Sequence, residues 1–382
     1  MLLFQNHFKW EQHYFNQDEL NLKQTQEFFK QIDDKLWNEC DKSIYKPCKF
    51  RKRKLKTKKG LLIYKRRIYT YYNKKTQKIE HISLLDVYLG VKKYSKLAPD
   101  VIKKILKYFT DGKRYQDICD TFIENLISIS TVCRTFQKFK IPKTNISKIK
   151  LEPNQTLYIN IDDGHRKFKF NDNHNSKNCK KCSMRLLIFC TGKKKNGKLI
   201  NKRVACKIRL SKTKIGAYKT AQLIQKYGKL YYENFEQANL IICGDSAKWI
   251  RKTAEILNAK FILDKFHAFH VLFLGIMAGR RKNKIAQLHY KYAQNLFSKG
   301  QYYELIDFLN SLKYQKLKIG YFINAKNGIL NQALVENIGC FTETNIKQIL
   351  KHMIGNRTYN IDMYSKMVNF KCYQINTEIQ LL

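Results

Sequence analysis

Hydrophobic side chains recur at helical spacing in the first part of the chain. In residues 1–45 they stand three or four positions apart, as at Phe28 and Ile32, which predicts helix. A basic run follows over residues 46–60, and residues 61–73, rich in β-branched and aromatic side chains, indicate a strand. Basic residues interleaved with tyrosine fit two interpretations equally: a surface that follows a nucleic-acid backbone, or a solvated basic loop beside an amphipathic strand.

Residues 97–140 return to a helical pattern, which begins with Pro99 near a helix start. Two short helices with a tight break at Glu124–Ser128 fit a helix-turn-helix, whose second helix would enter the major groove of DNA. An ordinary helical hairpin is the commoner structure for this pattern and stays open. The candidate DNA-binding residues of the two segments are Arg51, Arg53, Arg66, Arg67, Ser130, Arg134 and Lys138.

The pattern changes in kind after residues 140–154, a linker that holds two of the four prolines. Three strand-like runs lead into alternating helices and strands, in the order β-β-β-α-β-α-β-α. This order predicts a mixed sheet of the ribonuclease-H type.

A helical insertion interrupts that sheet domain. Amphipathic spacing in the insertion puts four side chains on one face: Ile285, Leu288, Tyr292 and Leu296. A further helix over residues 343–355 ends at Gly355. The expected fold class is α/β, a ribonuclease-H-like mixed-sheet catalytic domain with a helical insertion, preceded by a mainly helical DNA-binding region. The predicted divisions are a helical and basic N-terminal region at 1–95, a helix-turn-helix-like region at 96–142, the catalytic domain at 155–279 and 339–358, and the insertion at 280–338.

Charge says more about partners than about fold. The chain has 382 residues, with 74 Lys and Arg against 30 Asp and Glu, a formal net charge of +44. A polyanion such as DNA, RNA or an acidic membrane is the matching partner, and a lysine-rich surface that reflects only AT-rich coding is the alternative. Hydrophobic residues make up 44% of the chain, which excludes a disordered basic tail.

Cysteine usage indicates the compartment. The 11 cysteines are odd in number and no secretory signal precedes them, so we expect reduced thiols in a cytoplasmic, nucleoid-associated protein. No run of about 18 apolar residues occurs, so no membrane-spanning helix is expected. Cys179 and Cys182, with His174 nearby, are compatible with zinc, but a second cysteine pair is missing. A turn between strands is the preferred interpretation of this segment.

Carboxylates stand at the ends of two predicted strands. Asp162 follows TLYINI and Asp245 follows LIICG, where open α/β sheets present ligands. Glu343 lies downstream at a helix start. Such acids are the hard oxygen ligands that hold Mg²⁺ or Mn²⁺ in a two-metal phosphoryl-transfer site. A helix N-cap competes for Asp245 alone, but it accounts for neither Asp162 nor the order of the set. The neighbouring Asp163 should point to the other sheet face.

Four segments match a known family in the same order. YINIDDGH carries Asp162, CGDSAKWI carries Asp245, LDKFHAFH contains Asp264-x-x-His267, and GCFTETNIKQIL carries Glu343. On these segments the chain, from about residue 156 to 357, resembles the DDE transposases of bacterial insertion sequences, in the branch related to Mutator-like elements. Within that branch it is similar to the transposase-like proteins of integrative and conjugative elements.

The resemblance implies roles for particular residues. Asp162, Asp245 and Glu343 would bind Mg²⁺ or Mn²⁺, and His267 would be a further catalytic residue near them. It also implies a homo-oligomeric transposase that binds double-stranded element-end and target DNA and performs metal-dependent phosphodiester hydrolysis and strand transfer. The segment after Glu343 departs from the family because it lacks a Trp near Ile361. Two alternatives stay open, a catalytically decayed DNA-binding relative and an RNA-binding basic protein.

Overall fold

The basic run near the N-terminus is itself a strand. The computed structural model describes residues 22–122, 126–141, 146–169, 179–209, 215–351 and 360–377, which form two units that divide after Lys140. The first elements are α1 (Leu22–Glu39), β1 (Lys46–Thr57), β2 (Gly60–Asn73) and β3 (Lys78–Ile82). The strands form an antiparallel sheet in the order β1–β2–β3. The sequence pattern had indicated a strand only over residues 61–73, so β1 is a correction.

Strand β1 was not predicted because its many charged residues obscure the alternation of buried and exposed positions. Arg53, Leu55 and Thr57 are buried at every second position, and Leu55 packs with Leu62 of β2 and Phe29 of α1. The aliphatic stem of an arginine can pack in a core as an apolar side chain does. A sequence pattern nevertheless counts arginine as polar, so the buried position of Arg53 was not recognised.

Short helices complete the first unit. They are α2 (Leu84–Tyr88), α3 (Pro99–Thr110), α4 (Tyr115–Cys119) and α5 (Ile129–Lys138). Ser128 begins α5, since its side chain accepts a hydrogen bond from the Thr131 N–H over 3.3 Å. The buried face of α5 carries Val132 and Phe136, and the Phe136 ring lies 4.0 Å from that of Phe109 in α3. The helices expected in this segment are therefore present.

A five-stranded mixed sheet is the centre of the second unit. Its strands, with short additional ones, are β4 (Ile149–Lys150), β5 (Thr156–Lys169), β6 (Cys179–Cys190), β7 (Gly192–Lys193), β8 (Leu199–Ile200), β9 (Arg203–Ile208), β10 (Tyr232–Glu233), β11 (Asn239–Gly244) and β12 (Lys260–Leu263). The large sheet has the order β12–β11–β5–β6–β9. Strands β5, β6 and β9 are antiparallel neighbours, whereas β11 and β12 run parallel to β5.

Helices pack on this sheet. In chain order they are α6 (Ala217–Tyr231), α7 (Lys248–Ile256), α8 (Lys265–Leu272), α9 (Lys284–Ser298), α10 (Tyr302–Ser311), α11 (Ile319–Ile323), α12 (Lys326–Leu330) and α13 (Thr342–Ile346). One face of the sheet, with Ile159, Ile161 and Leu263, forms the main core with α6 to α12. On the opposite face Tyr158 and Cys243 pack near residues 338–340. The predicted element order β-β-β-α-β-α-β-α is confirmed, as is a mixed sheet.

The segment predicted as a helical insertion contains helices α9 to α12, but the apolar face of α9 is not the one predicted. Of the four aligned side chains in α9, Leu296 is buried. Ile285, Leu288 and Tyr292 are 51% to 65% exposed. The helix packs through Ala286, Ala293 and Phe297 together with Leu296. The two alanines let it approach the core closely but contribute little to a sequence periodicity.

A helix beyond the predicted catalytic segments completes the sheet. This helix, α14 (Ile361–Thr377), packs on β9, which is an edge strand. Asn376 accepts from the Val204 N–H over 2.7 Å and donates to the Val204 carbonyl over 2.8 Å. The amide group therefore pairs with the outer edge of β9 as a further strand would, and it satisfies buried backbone groups there. The predicted helix end at Gly355 lies outside the described residues.

Candidate active site

Three aspartates stand beside one another across three neighbouring strands. Strands β5 and β11 pair in parallel as far as Asn160 and Cys243, two residues before Asp162 and Asp245. Strands β11 and β12 pair up to the residues directly preceding Asp245 and Asp264. Because aligned residues of parallel strands lie side by side, the register brings the three carboxyl groups to one end of β11 and β12, next to the middle of β5.

Gly244, the last residue of β11, lies close against the backbone of β5. A Cβ atom at Gly244 would lie 2.9 Å from the Ile161 carbonyl oxygen of β5, too close for any other residue. Asp245 follows, and its Oδ1 accepts a hydrogen bond from the Ala247 N–H over 3.0 Å. The N-cap role considered for Asp245 is thus replaced by a turn bond: Ala247 precedes α7 and occupies the cap position.

Asp162 is a carboxyl group held partly out of water. Its pKa is raised to about 6, first because burial disfavours the charged form and then because the negative charges of Asp245 and Asp163 lie close by. A 2.7 Å hydrogen bond from the Asp163 N–H and the positive charge of His267 act in the opposite direction. Asp162, Asp245 and His267 therefore lie within electrostatic range of one another.

Asp264 holds His267 in place. It is 4% exposed, begins α8 by accepting from the Phe266 N–H over 3.0 Å, and its Oδ2 lies 2.8 Å from His267 Nδ1. The pKa of His267 is raised by this hydrogen bond first, and also by the charges of Asp264, Asp162 and Asp245, while burial opposes the shift. Sequence reasoning noted Asp264 only as part of a motif. Asp264 directly follows β12, a third strand with an aspartate at its end, and this position would have identified it as a residue of the candidate site.

Glu343 lies in the segment that covers the Asp162 face of the sheet. The Phe341 N–H donates to Asn160 Oδ1 over 2.8 Å, and the Thr342 hydroxyl lies 3.5 Å from Asp264 Oδ2. These contacts fix α13 against β5 and bring half-buried Glu343 to this side of the sheet. Within the described residues, no three His, Cys, Asp or Glu side chains form a group that could hold a metal ion as they stand.

Asp163 has a different role from its neighbour. Arg185 of β6 binds it through two hydrogen bonds, Nε to Oδ1 at 2.8 Å and Nη2 to Oδ2 at 2.7 Å. The buried guanidinium also donates to the Ile215 carbonyl and the Thr220 hydroxyl and lies 3.4 Å from the centre of the Trp249 ring. The expectation that Asp163 faces away from Asp162 is confirmed, and its carboxylate stabilises the packing of α6 and α7.

The candidate DNA-binding residues of β1 and β2 divide into two groups. Arg53 and Arg66 both bind the Asp86 carboxylate, and Arg67 donates to Asp33 at 3.2 Å and to Asp34 at 2.6 Å. Their side chains are only 7% to 19% exposed, so these three are held within the unit instead of following a DNA backbone across its surface. Arg51 is exposed.

The three candidates on α5 are all exposed. Ser130, Arg134 and Lys138 recur every four residues on the face opposite Val132 and Phe136. This surface has the form expected of a recognition helix, and its contact with DNA stays a prediction.

The cysteine pair belongs to a strand, not to the turn that was preferred. Cys179 begins β6 and Cys182 is buried within it. His174 lies outside the described residues.

Comparisons with known proteins identify a family. Among curated proteins no sequence matches the chain. A solved structure described as "Drosophila P element transposase strand transfer complex" is similar at 11% sequence identity and a TM-score of 0.32, covering 77% of this chain and 82% of that chain. In the described part of the chain no helix is both long enough and apolar enough to cross a membrane. Residues 13–284 match the family described as "Uncharacterised protein family (UPF0236)", and the chain therefore belongs to this family.

Proposed function

We propose that this protein is a DDE-type DNA transposase, an enzyme that hydrolyses a phosphodiester at element ends and joins the freed 3′ hydroxyl to target DNA. The observation that carries the proposal is that Asp162 and Asp245 each stand two residues beyond the last paired residues of the adjacent parallel strands β5 and β11, with the pKa of Asp162 raised to about 6. Carboxyl groups that repel one another in a half-buried site cost folding free energy, and such strain is typical of functional sites.

The sheet supports a ribonuclease-H-like catalytic domain. Three antiparallel strands, β5, β6 and β9, lead into two parallel strands added on the other side of β5. This is the mixed sheet expected from the order of elements, and the acids stand on its central strand and on the strand beside it.

The donor set fits a divalent metal in part. Asp162 and Asp245 offer adjacent hard oxygen donors, the chemistry that Mg²⁺ and Mn²⁺ prefer, and a cation would relieve their repulsion. We propose Glu343 as the third ligand, which requires its side chain to turn towards the pair. When bound, the metal ions would stabilise the charge on the attacking and leaving oxygens of an in-line displacement.

His267 is suited to bind the scissile phosphate. Its Nδ1 is engaged by Asp264, so only Nε2 is left for a substrate oxygen. The raised pKa of His267 favours the protonated ring, which donates from both nitrogens. Asp264 is in this proposal a positioning residue, since it sets the ring orientation without touching the substrate. Joining two ends requires two active sites, so we further propose a homo-oligomer.

The test is strand cleavage on duplex DNA that carries the sequences flanking the gene. Wild-type protein should nick this DNA with Mg²⁺ or Mn²⁺ and not in EDTA, and Asp245→Asn should reduce cleavage to the level without protein. Asp307→Asn is the matched control, because Asp307 is exposed on α10 in the same unit. Equal cleavage by wild type and Asp245→Asn would remove the assignment.

Binding measurements separate the two alternatives. Tight duplex binding without cleavage under either metal would indicate the decayed, DNA-binding form. A preference for RNA over DNA of the same sequence and strandedness would indicate the RNA-binding protein.

A further inference from the structure

A basic cavity is found in the first unit, whereas Asp162, Asp245 and Asp264 belong to the second. Its volume is about 940 Å³, near the upper end of the roughly 300–1,000 Å³ typical of small-ligand sites. Six lysines and three arginines line it, against a single carboxylate, Asp86. A cavity with this excess of positive charge suits a ligand with several negative charges.

Its floor contains two guanidinium groups that share one carboxylate. Arg53 and Arg66 both bind Asp86, whose Oδ1 also accepts from the Tyr64 hydroxyl over 2.9 Å. The Nε–H of Arg66 is buried and has no hydrogen-bond partner among the described residues. With Arg51 exposed at the same cavity, one carboxylate faces three arginines, so the charge stays positive.

A strained turn presents an aromatic ring at the rim. The Ser95 N–H donates to the Lys92 carbonyl over 2.9 Å and closes a turn in which Tyr94 has a φ of 70°. Glycine or asparagine normally occupies this backbone conformation. The Tyr94 side chain is nevertheless 86% exposed, so burial of the ring does not offset the strain.

Arg53 fixes this turn from inside. While one nitrogen binds Asp86, its Nη2 donates to the carbonyls of Lys92 and Ser95 over 2.7 and 2.8 Å. The turn is thereby anchored at both ends, and Tyr94 is held beside the cationic residues. Arg53 acts as a positioning residue in this arrangement.

From this arrangement we infer that the cavity binds an unpaired DNA strand, with phosphates held by Arg51 and the neighbouring lysines and one base stacked on Tyr94. A positively charged groove beside an exposed aromatic ring is how proteins bind single strands, because every base offers a face for stacking. A cationic edge strand can also serve only to prevent aggregation, but that role requires neither the shared carboxylate nor an exposed ring in a strained turn. The inference takes its partner, DNA, from the proposed function.

Fluorescence anisotropy with a labelled oligothymidine single strand, without divalent metal, tests it on the full-length protein. Tyr94→Ala should weaken binding about tenfold, and Tyr94→Phe should keep wild-type affinity because the ring remains. Arg51→Ala should make the plot of log K against log salt less steep by about 0.7. The matched controls, Tyr72→Ala and Lys30→Ala, remove exposed residues of the same unit that do not line the cavity and should leave binding unchanged.

Tyr94→Gly separates binding from folding. Glycine relieves the positive φ, so this variant should unfold at or above the wild-type temperature and still lose single-strand affinity. The inference would be overturned if Tyr94→Ala bound the single strand as wild type does, or if Tyr72→Ala lost as much single-strand affinity as Tyr94→Ala. It would also be overturned if Tyr94→Ala lost duplex affinity to the same extent, or if a mononucleotide competed as effectively as the oligothymidine. If the wild-type protein bound the single strand as expected but showed no metal-dependent cleavage, only the proposed function would be removed.

Discussion

Asp162 and Asp163 are neighbours with opposite effects on stability. The Asp162 carboxyl is half-buried beside other negative charges, so its ionisation opposes folding. The Asp163 carboxylate is bound at both oxygens by buried Arg185, so it supplies the charged partner of a buried cation. Identical side chains thus differ because alternation along β5 points one towards other acids and the other towards a cation.

Asp162→Asn should stabilise the metal-free protein at neutral pH. The pKa of Asp162 is about 6 in the folded protein, against an ordinary value of 3.8. The protonated carboxyl therefore has no cost to the wild type below about pH 4, and the wild type loses stability as the pH rises through 6. Urea unfolding in EDTA at pH 7.5 should show a gain of about 1–3 kcal/mol in the variant. The gain should disappear near pH 4, and a gain that is independent of pH would contradict this explanation.

Asp163→Asn should destabilise the protein by about 2–4 kcal/mol, because it leaves the guanidinium of Arg185 buried without a charged partner. The same urea titration measures it, with Asp307→Asn as the exposed control. A change within about 0.5 kcal/mol would show that the ion pair does not stabilise the packing of α6 and α7.

Mg²⁺ should raise the unfolding temperature of the wild type and not of Asp162→Asn or Asp245→Asn. A ligand that binds only the folded state stabilises it, and removal of either carboxylate removes that affinity. Differential scanning fluorimetry without Mg²⁺ and with Mg²⁺ concentrations increased in 10-fold steps measures the shift in unfolding temperature. An equal rise in all three proteins would place the metal elsewhere.

At the scale of elements, α14 shows how an edge strand is closed without another strand. The amide of Asn376 binds both backbone groups of Val204 on the outer edge of β9, and Tyr364 and Met367 of the same helix are fully buried. Helix α14 is therefore part of the second unit, although no feature of the sequence analysis included it in the catalytic domain.

Asn376→Ala should lower the free energy of unfolding by about 1–3 kcal/mol, since it leaves a buried N–H and carbonyl without this partner. Asn369→Ala is the matched control, the same substitution at an exposed position of α14. Chemical denaturation of both variants decides the question, and equal stability would mean that the edge of β9 is satisfied in another way.

At the scale of the whole molecule, the charge of +44 does not act as one field. Part of it is neutralised locally, as at Asp86 and Asp33, and part lines the cavity of the first unit or the exposed face of α5. Residues that share a basic segment in the sequence thus belong to different surfaces or to the core.

If α5 contacts duplex DNA, Arg134→Ala and Lys138→Ala should each make the salt dependence of duplex binding less steep by about 0.9. Filter binding or anisotropy over a range of NaCl concentrations measures the slope, with Lys299→Ala, an exposed cation of the second unit, as the control. Unchanged slopes in both α5 variants would show that this helix does not bind phosphates.

The sequence by itself determined the order of elements in the sheet domain, its mixed sheet and the strand-end positions of Asp162 and Asp245, because strand periodicity and strand-end residues are local properties. Tertiary structure alone decided that Arg53 and Arg66 bind Asp86, that Arg185 binds Asp163, and that α14 closes the sheet edge. Each of these depends on which residues distant in sequence are brought together. A charged side chain is exposed, paired or buried according to that arrangement, and residue type does not specify which.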